Sequence, residues 1–428
     1  MDRRKAFVHC TSVSGIDVAI VGAGAAGIAA ARRLANRGRS VLLIDALPRI
    51  GGRAHTLAVD GVALDMGCGW LHSAERNPWV GVAEALDHAI DRSRSAWGDQ
   101  WRNLGFSTAE QHEAGAAFEA WNEAIRAGVA SDRASDALDP ASPWAGFVEA
   151  LSSYINGAQL GELSVADYLA YDDAASETNW RLPGGYGALI AGAAGDVPRA
   201  LGTRVASVAH TDAGVRLTTD QGEIDARAAI VTVSTEMLAA GAIRLPSAFD
   251  TACHAATKLP LGLADKLFFR VPEPNDLPEN GHLLGSPRRA ATGSYYLRPF
   301  GHPVIEVFLG GAAARALESE GDGAAEAFAR EELGALLGSD FARRLDFITG
   351  SAWAKCETIR GSYSHALPGC ADARADLAQP VDERILLAGE ACSAKDFTTA
   401  HGAYETGIAA ADRLDATLAA LPCTQGGD

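Results

Sequence analysis

Three glycines early in the chain have the spacing that binds a dinucleotide cofactor. Gly22, Gly24 and Gly27 form G-x-G-x-x-G directly after the apolar run 16–21, which is typical of a buried parallel strand. Such glycines permit a tight turn, close approach of the backbone to a pyrophosphate, and close packing of a helix on the strand. Residues 25–36 continue with helical spacing, so the helix N-terminus would point at the phosphates.

A carboxylate and a second glycine pair complete this unit. Asp45 ends the next apolar run, where it can bind a ribose 2′-hydroxyl and disfavour the 2′-phosphate of NADP. Gly51 and Gly52 follow at once, so the chain can pass close to the far half of an extended cofactor, with Arg53 facing the pyrophosphate or flavin. NAD-dependent dehydrogenases usually lack this second pair. The segment therefore predicts FAD.

Composition limits the partners. The formal charge of −17 argues against nucleic acid or an anionic membrane surface, and it modestly favours encounter with a cation, although most acidic proteins are acidic only for solubility. No apolar run reaches the ~20 residues of a membrane span, and residues 1–15 lack the apolar core of a signal peptide. The seven cysteines show no metal-ligand spacing, which predicts reduced thiols, a cytoplasmic location and no metal site.

The arrangement of elements predicts an α/β fold of two interlocked domains. The predicted elements are a mostly helical segment over 80–175, strand-like runs at 206–218 and 228–233, antiparallel strands over 265–310, a buried strand at 385–388 and a helix from about 401 to 418. Because the last elements complete the N-terminal βαβ unit, the Rossmann-like FAD-binding domain is discontinuous. We predict that this domain comprises 1–78, 180–256 and 376–428. The remaining segments, 79–179 and 257–375, are predicted to form an α+β substrate domain with a mixed or antiparallel sheet and a helical insertion.

Further motifs resemble the flavin-dependent amine oxidase family, which includes the monoamine and polyamine oxidases. Residues 65–72, followed by Asn77-Pro78, resemble the D-x-G-A-x-W-[IL]-H-G…N-P run of polyamine oxidases, whose backbone lies beside the flavin. The resemblance implies that His72 contacts or deprotonates the amine. A histidine that is hydrogen-bonded only for packing is the alternative. Similarly, Val205 matches a valine whose backbone meets the adenine.

Lys266 is the most specific single residue of the resemblance. It stands where amine oxidases carry a lysine that holds a water against flavin N5, and desaturase-like branches of the superfamily generally lack it. A lysine that merely opens an exposed strand is the alternative.

Residues 360–364 resemble the family segment that carries an aromatic cage. By position Tyr363 is one wall of this cage, which orients the amine over the flavin. Ser362 replaces the cysteine that monoamine oxidases bond to the flavin, so FAD is expected to be non-covalent. Thr399 occupies the position of the second cage tyrosine, and Phe397 or Trp353 is expected to supply the other wall.

The C-terminal segments 387–393 and 397–407 resemble the family run A-G-E-x-x-S…S-T-x-H-G-A-x-x-S-G. The resemblance places Glu390 by the ribityl–pyrophosphate, and Thr399 and Ala400 before a helix whose N-terminus stabilises the anionic reduced flavin.

Together, these motifs assign three catalytic residues: Lys266, Tyr363 and His72. The predicted cofactor-binding residues are Gly22, Gly24, Ala25, Ala26, Gly27, Asp45, Ala46, Arg49, Gly51, Gly52, Arg53, Gly67, Gly69, Trp70, Val205, Trp353, Gly389, Glu390, Thr399 and Ala400.

The resemblance implies oxidation of a C–N bond in a primary or secondary amine, by hydride transfer to flavin N5. The imine then hydrolyses, and O₂ or another electron acceptor reoxidises the flavin, O₂ giving H₂O₂. A polyamine-like substrate is favoured, and Asp172, Asp173 and Glu177 are candidates to attract a distal ammonium unless they form only a solvated cluster. A carbon–carbon desaturase or isomerase is the alternative enzyme, a non-catalytic dinucleotide-binding module is a third, and a homodimer is left open.

Overall fold

A computed structural model describes residues 13–420. Residues 1–12 and 421–428, with Cys10 and Cys423, lie outside the described part, and so do the predictions that concern them. The strands are β1 Val13–Val21, β2 Val41–Asp45, β3 Thr56–Val59, β4 Val62–Asp65, β5 Arg199–Leu201, β6 Val205–His210, β7 Val215–Thr219, β8 Gly222–Val231, β9 Ala264–Arg270, β10 Gly281–Leu284, β11 Ser294–Leu297, β12 Val304–Gly310, β13 Asp346–Gly350 and β14 Ile385–Leu387. The α-helices are α1 Ala25–Ala35, α2 Pro78–Ala85, α3 Thr108–Ala127, α4 Ala145–Asn156, α5 Val165–Asp172, α6 Tyr186–Gly192, α7 Thr235–Ala239, α8 Asp250–Ala256, α9 Gly311–Glu320, α10 Ala324–Leu337, α11 Ser339–Arg343, α12 Ala373–Ala378 and α13 Ala400–Ala420.

The first sheet has a parallel centre built from both ends of the chain. Strand β1 lies between β2 and β8, while β5 pairs with β2 and β14 pairs with β8, all in parallel. Val18 and Ile20 of β1 are fully buried, as expected for a strand covered on both faces. Because β14 completes a sheet begun by β1, the predicted discontinuous Rossmann-like fold is confirmed.

The run predicted over 206–218 is two strands rather than one. A turn at Thr211–Gly214 divides it into the antiparallel pair β6 and β7, which extends the sheet from the first half of β8. In this turn the Gly214 N–H donates to the Thr211 hydroxyl, 3.0 Å away.

Helices α1 and α13 pack closely enough to bring their N-termini to the same edge of the first sheet. A β-carbon at Gly407 would lie 2.2 Å from the Ala26 carbonyl oxygen, so this approach requires glycine. Arg33 donates to Asp412 at 2.6 Å further along the two helices. The βαβ unit and the C-terminal helix therefore meet where the glycine motif lies.

The second sheet is antiparallel, in the order β10-β11-β12-β9-β13. Its core includes Phe268, Phe269 and Leu309. The hairpin β3–β4 also packs on this core through Leu64 and Met66, although the sequence assigned it to the cofactor domain. The predicted domain boundaries themselves stay a prediction.

The predicted helical insertion contains α2 to α5 and has a small core of its own around Trp121 and Tyr168. Helix α3 begins after a capping box between Ser107 and Glu110. A buried ion pair, Asp167–Arg374 at 2.5 Å, ties α5 to α12. No helix within residues 13–420 is long and apolar enough to cross a membrane.

Candidate functional site

One cavity of about 850 Å³ lies between the parallel sheet, the antiparallel sheet and the helical insertion. All predicted site residues line it except Gly27 and Arg49. A β-carbon on Gly27 would lie 1.9 Å from the Gly22 carbonyl oxygen, so Gly27 permits packing of α1 on β1. The Arg49 guanidinium instead donates to the Gly52 carbonyl at 2.8 Å, so it braces the second glycine loop from outside the cavity.

The glycine residues and the helix N-terminus at one end of the cavity fit a pyrophosphate. Helix α1 starts at Gly24 without any side-chain cap, so its first-turn N–H groups are available to an anion. A β-carbon on Gly52 would lie 3.2 Å from the Gly24 α-carbon. Gly389 faces open space, since a β-carbon there would meet nothing within 4 Å. The uncapped helix end complements the negative charge of a dinucleotide. The backbone without side chains on two sides leaves space for its shape.

Asp45 fixes the glycine loop. Its two carboxylate oxygens accept hydrogen bonds from the N–H groups of Ala23 and Leu47, both at 2.7 Å. Burial raises its pKa, although these bonds oppose the shift. Each oxygen keeps a lone pair for a ribose hydroxyl.

Arg53 and Glu390 form the charged centre of the cofactor end. They are 2.9 Å apart, and Glu390 also accepts from the Ser364 hydroxyl at 2.7 Å and the Thr398 N–H at 3.0 Å. Burial alone would raise the pKa of Glu390, but Arg53, Arg374 and these bonds hold it below its ordinary value. Glu390 is therefore an anion that holds Arg53 beside the cavity.

Lys266 is buried and paired with a residue that the sequence analysis missed. Its Nζ lies 2.7 Å from Oε1 of Glu306 on the neighbouring strand β12. A β-carbon on Gly69 would lie 3.0 Å from the same Nζ, so the small residue makes room for the ammonium. Glu306 stands alone as a charge within an apolar strand, which was the available signal.

His72 is held from both sides. The Asn77 side chain donates to its backbone carbonyl at 3.0 Å, which explains the N-P part of the motif, and Nδ1 lies 2.8 Å from the Asn179 oxygen. Since an amide oxygen only accepts, Nδ1 carries the proton and Nε2 keeps its lone pair. Burial lowers the pKa of His72 to about 4. The ring is thus a neutral hydrogen-bond acceptor, and its predicted role of contacting or deprotonating the amine stays a prediction.

Two of the three aromatic residues considered for the cage line the cavity. Tyr363 lines the cavity with its hydroxyl donating to the Tyr154 carbonyl at 2.6 Å, and Trp353 lines it with Nε1 donating to the Met66 carbonyl at 2.9 Å. Phe397 does not line the cavity, because the guanidinium of Arg374 lies 3.5 Å from its ring centre. Of the two candidates for the second wall, Trp353 lines the cavity and Phe397 does not, and the cage itself stays a prediction.

The end of the cavity away from the glycines is bounded by two apolar surfaces. An aromatic wall consists of Trp70, Trp97 and Tyr296, with the Trp70 and Trp97 ring centres 4.3 Å apart. We define as the apolar wall a second set of lining residues, Phe106, Phe147, Leu151, Ile155, Leu284 and Phe308. The spacing of 147, 151 and 155 on one face of α4 was the sequence signal for this wall.

The acidic cluster predicted at residues 172–177 has one cationic partner in the described chain, Arg126. Asp172 and Asp173 both bind Arg126, the latter at 2.6 Å. Glu177 lines the cavity but is exposed to solvent. Two of the three candidates for a distal ammonium thus share a single arginine.

Comparison with known proteins places this geometry in a family. Residues 120–415 match the model of flavin containing amine oxidoreductases, and residues 20–86 match an NAD(P)-binding Rossmann-like domain. Polyamine oxidase 3 of Oryza sativa subsp. japonica is 28% identical over 92% of this chain and 88% of its own. Polyamine oxidase 2 of Arabidopsis thaliana is also 28% identical, over 92% and 87%.

A similar fold occurs in a putrescine oxidase solved with putrescine bound, at 20% identity and a TM-score of 0.74 over 95% of this chain and 100% of that one. This likeness concerns the fold alone. The family match, in contrast, spans more than half of the chain and confirms the resemblance seen in the sequence. The chain therefore belongs to the flavin containing amine oxidoreductases, and it is a flavin-dependent oxidoreductase acting on amines.

Proposed function

We propose that the protein oxidises the C–N bond of a primary or secondary amine with non-covalently bound FAD, and that O₂ is the electron acceptor. The observation that carries this proposal is the continuity of the cavity, from the uncapped end of α1 at Gly24 to the buried Lys266. The cofactor motifs line one end of it, and the residues predicted to contact the amine line the other.

Non-covalent binding is supported by the side chains beside the cavity. The Ser362 hydroxyl donates to the Ala264 carbonyl at 2.9 Å and offers no thiol. Cys68 does line the cavity, but burial raises its pKa to about 12, so it stays protonated and unreactive as a nucleophile.

FAD held by the glycine loops, Asp45 and Arg53 would supply the two-electron redox chemistry: it would take up a hydride equivalent from the amine α-carbon, and O₂ would take the two electrons and two protons to become H₂O₂. The protein's part is to orient the amine and to stabilise charge. Tyr363 and Trp353 confine the amine, and His72 accepts a hydrogen bond from its N–H through Nε2. The N-terminus of α13, beside Thr399 and Ala400, favours negative charge on the cofactor. Loss of a hydride and an N–H proton leaves a C=N bond, to which water adds to release a carbonyl compound and an amine.

This proposal is tested by product stoichiometry. Purified protein is supplied with an amine in air, and H₂O₂ and the carbonyl product are measured together. One H₂O₂ for each carbonyl is expected. Carbonyl formation without H₂O₂ would contradict the assignment of O₂. Acid precipitation is expected to release all the flavin as FAD, and yellow colour retained in the pellet would contradict non-covalent binding.

A further inference from the structure

The substrate end of the cavity has little to offer a second positive charge. Of its acidic side chains, Glu306 is paired with Lys266, while Asp172 is half-buried and shares Arg126 with Asp173. The third, Glu177, makes no ion pair with any residue in 13–420, but it is exposed, where water screens its charge. No buried, unpaired carboxylate thus faces this end within the described chain.

The aromatic wall has a cation behind it. Arg181 is 5% exposed, and its guanidinium carbon lies 4.8 Å from the ring centre of Trp70 and 4.1 Å from those of Tyr296 and Phe300. Its Nη2 donates to the Asn280 oxygen at 2.9 Å, and no carboxylate of residues 13–420 pairs with it. Arg181 covers one face of Trp70 and one of Tyr296, and its positive charge weakens the attraction of these two rings for an ammonium on the other face.

The two histidines at the substrate end do not change its charge. His72 and His282 both line the cavity, and burial lowers the pKa of each to about 4. Both are neutral at pH 7. His282 Nε2 is also engaged with the Ser294 hydroxyl at 2.8 Å. The other contacts at this end come from the apolar wall, the aromatic wall and uncharged polar side chains such as Gln100, Gln111 and Asn179.

We infer that the substrate is a hydrophobic monoamine rather than a polyamine: a single amino group next to an aromatic or long alkyl substituent that packs between the apolar wall and the aromatic wall. The inference rests on the proposed amine oxidation and narrows its substrate class. It departs from the names of the curated relatives, because placing a second ammonium between these walls would remove its water without supplying a counter-charge.

The test compares two amines of similar length. n-Decylamine and spermidine differ chiefly in the replacement of methylenes by amino groups, so their comparison isolates the effect of the two additional charges of spermidine. Each is mixed anaerobically with the holoenzyme, and the rate of flavin bleaching is followed against amine concentration. We expect the ratio of limiting rate to Kd to be at least about 100-fold higher for decylamine, with 2-phenylethylamine also a good substrate. A higher ratio for spermidine would overturn the inference while leaving amine oxidation intact.

Binding is measured separately with α,α-dimethylbenzylamine, which has no α-hydrogen and so cannot be oxidised by hydride loss. We expect it to bind the holoenzyme and perturb the flavin absorbance. Trp97 is 40% exposed, so Trp97→Ala is expected to fold normally and to weaken this binding about 10-fold. Glu177→Gln is the matched control and should leave the Kd unchanged.

The remaining outcomes also discriminate. If spermidine binds tightly and Glu177→Gln abolishes that binding, Glu177 anchors a distal ammonium and the inference is wrong. If no amine of either kind bleaches the flavin, the proposed amine oxidation fails and the inference falls with it.

Discussion

Substitutions of His72 distinguish two roles of its ring, that of a hydrogen-bond acceptor and that of a catalytic base. An alkylammonium has a pKa of about 10, and burial lowers that of His72 to about 4. The difference of about 6 corresponds to about 8 kcal/mol for moving the proton from the amine to the ring, which is too unfavourable for a useful base. We therefore predict that His72 acts as a hydrogen-bond acceptor, with Nε2 accepting from the neutral amine.

Loss of one such bond is worth about 1–1.5 kcal/mol, or about 10-fold in rate. We therefore expect His72→Leu to lower the ratio of flavin reduction rate to Kd about 10-fold, and His72→Gln, whose amide oxygen accepts, to recover most of it. The assay is anaerobic stopped-flow reduction between pH 5.5 and 9. All three proteins should show only the ionisation of the amine. A fall of about 10²–10⁴-fold in both variants, with loss of an ionisation near pH 6–7, would refute this reasoning, since that is the signature of general-base catalysis.

Three further predictions follow from buried charges. Glu306→Gln leaves the Lys266 ammonium unpaired and is expected to destabilise the protein by about 3 kcal/mol, seen as a Tm lower by about 3–4 °C at saturating FAD. The double variant Lys266→Met/Glu306→Leu should be closer to the parent, and equal losses in single and double variants would disprove the coupling. Arg53→Met removes the partner of Glu390 and should weaken FAD binding at least about 10-fold by ultrafiltration, whereas an unchanged Kd would show that Arg53 does not serve the cofactor. His282 and His365 have pKa values of about 4 in the folded protein, below the unfolded value of about 6.5. The free energy of unfolding therefore has its full value above pH 6.5, and it falls by up to about 3 kcal/mol for each histidine as the pH drops toward 4. Thermal melts at pH 7 and 5 check this, and His282→Gln should reduce the difference; an identical pH dependence in that variant would exclude His282 as a source.

Local patterns were sufficient to predict the cofactor end of the site. The glycine spacing, the apolar run before it and the acid after it lie within 16–53, so each constrains its neighbours through the chain itself. The structure corrects one detail in this segment and one in a later strand. Arg49 faces the Gly52 carbonyl instead of the cavity, because side-chain direction in a loop is not set by spacing. The run at 206–218, predicted as one strand, is divided into two strands by a turn.

The substrate end was less predictable because its contacts join distant segments. Glu306 reaches Lys266 only through the register of β12 on β9, and Asn179 reaches His72 from the far end of the helical insertion. Phe397 was expected as a cage wall, but its ring face is covered by Arg374, which is close in space and 23 residues away in sequence. The periodicity of a helix or strand relates residues only a few positions apart, so sequence patterns alone do not predict contacts between such distant segments.

The central claim, that this cavity joins an amine to a flavin, is tested most directly by one anaerobic experiment. The purified yellow protein is mixed without O₂ with hydrophobic monoamines and polyamines, and absorbance is followed near about 450 nm, where oxidised flavins absorb. The account predicts rapid bleaching by at least one amine and recovery of the colour when air is admitted. A protein that holds FAD and stays yellow with every amine would contradict it.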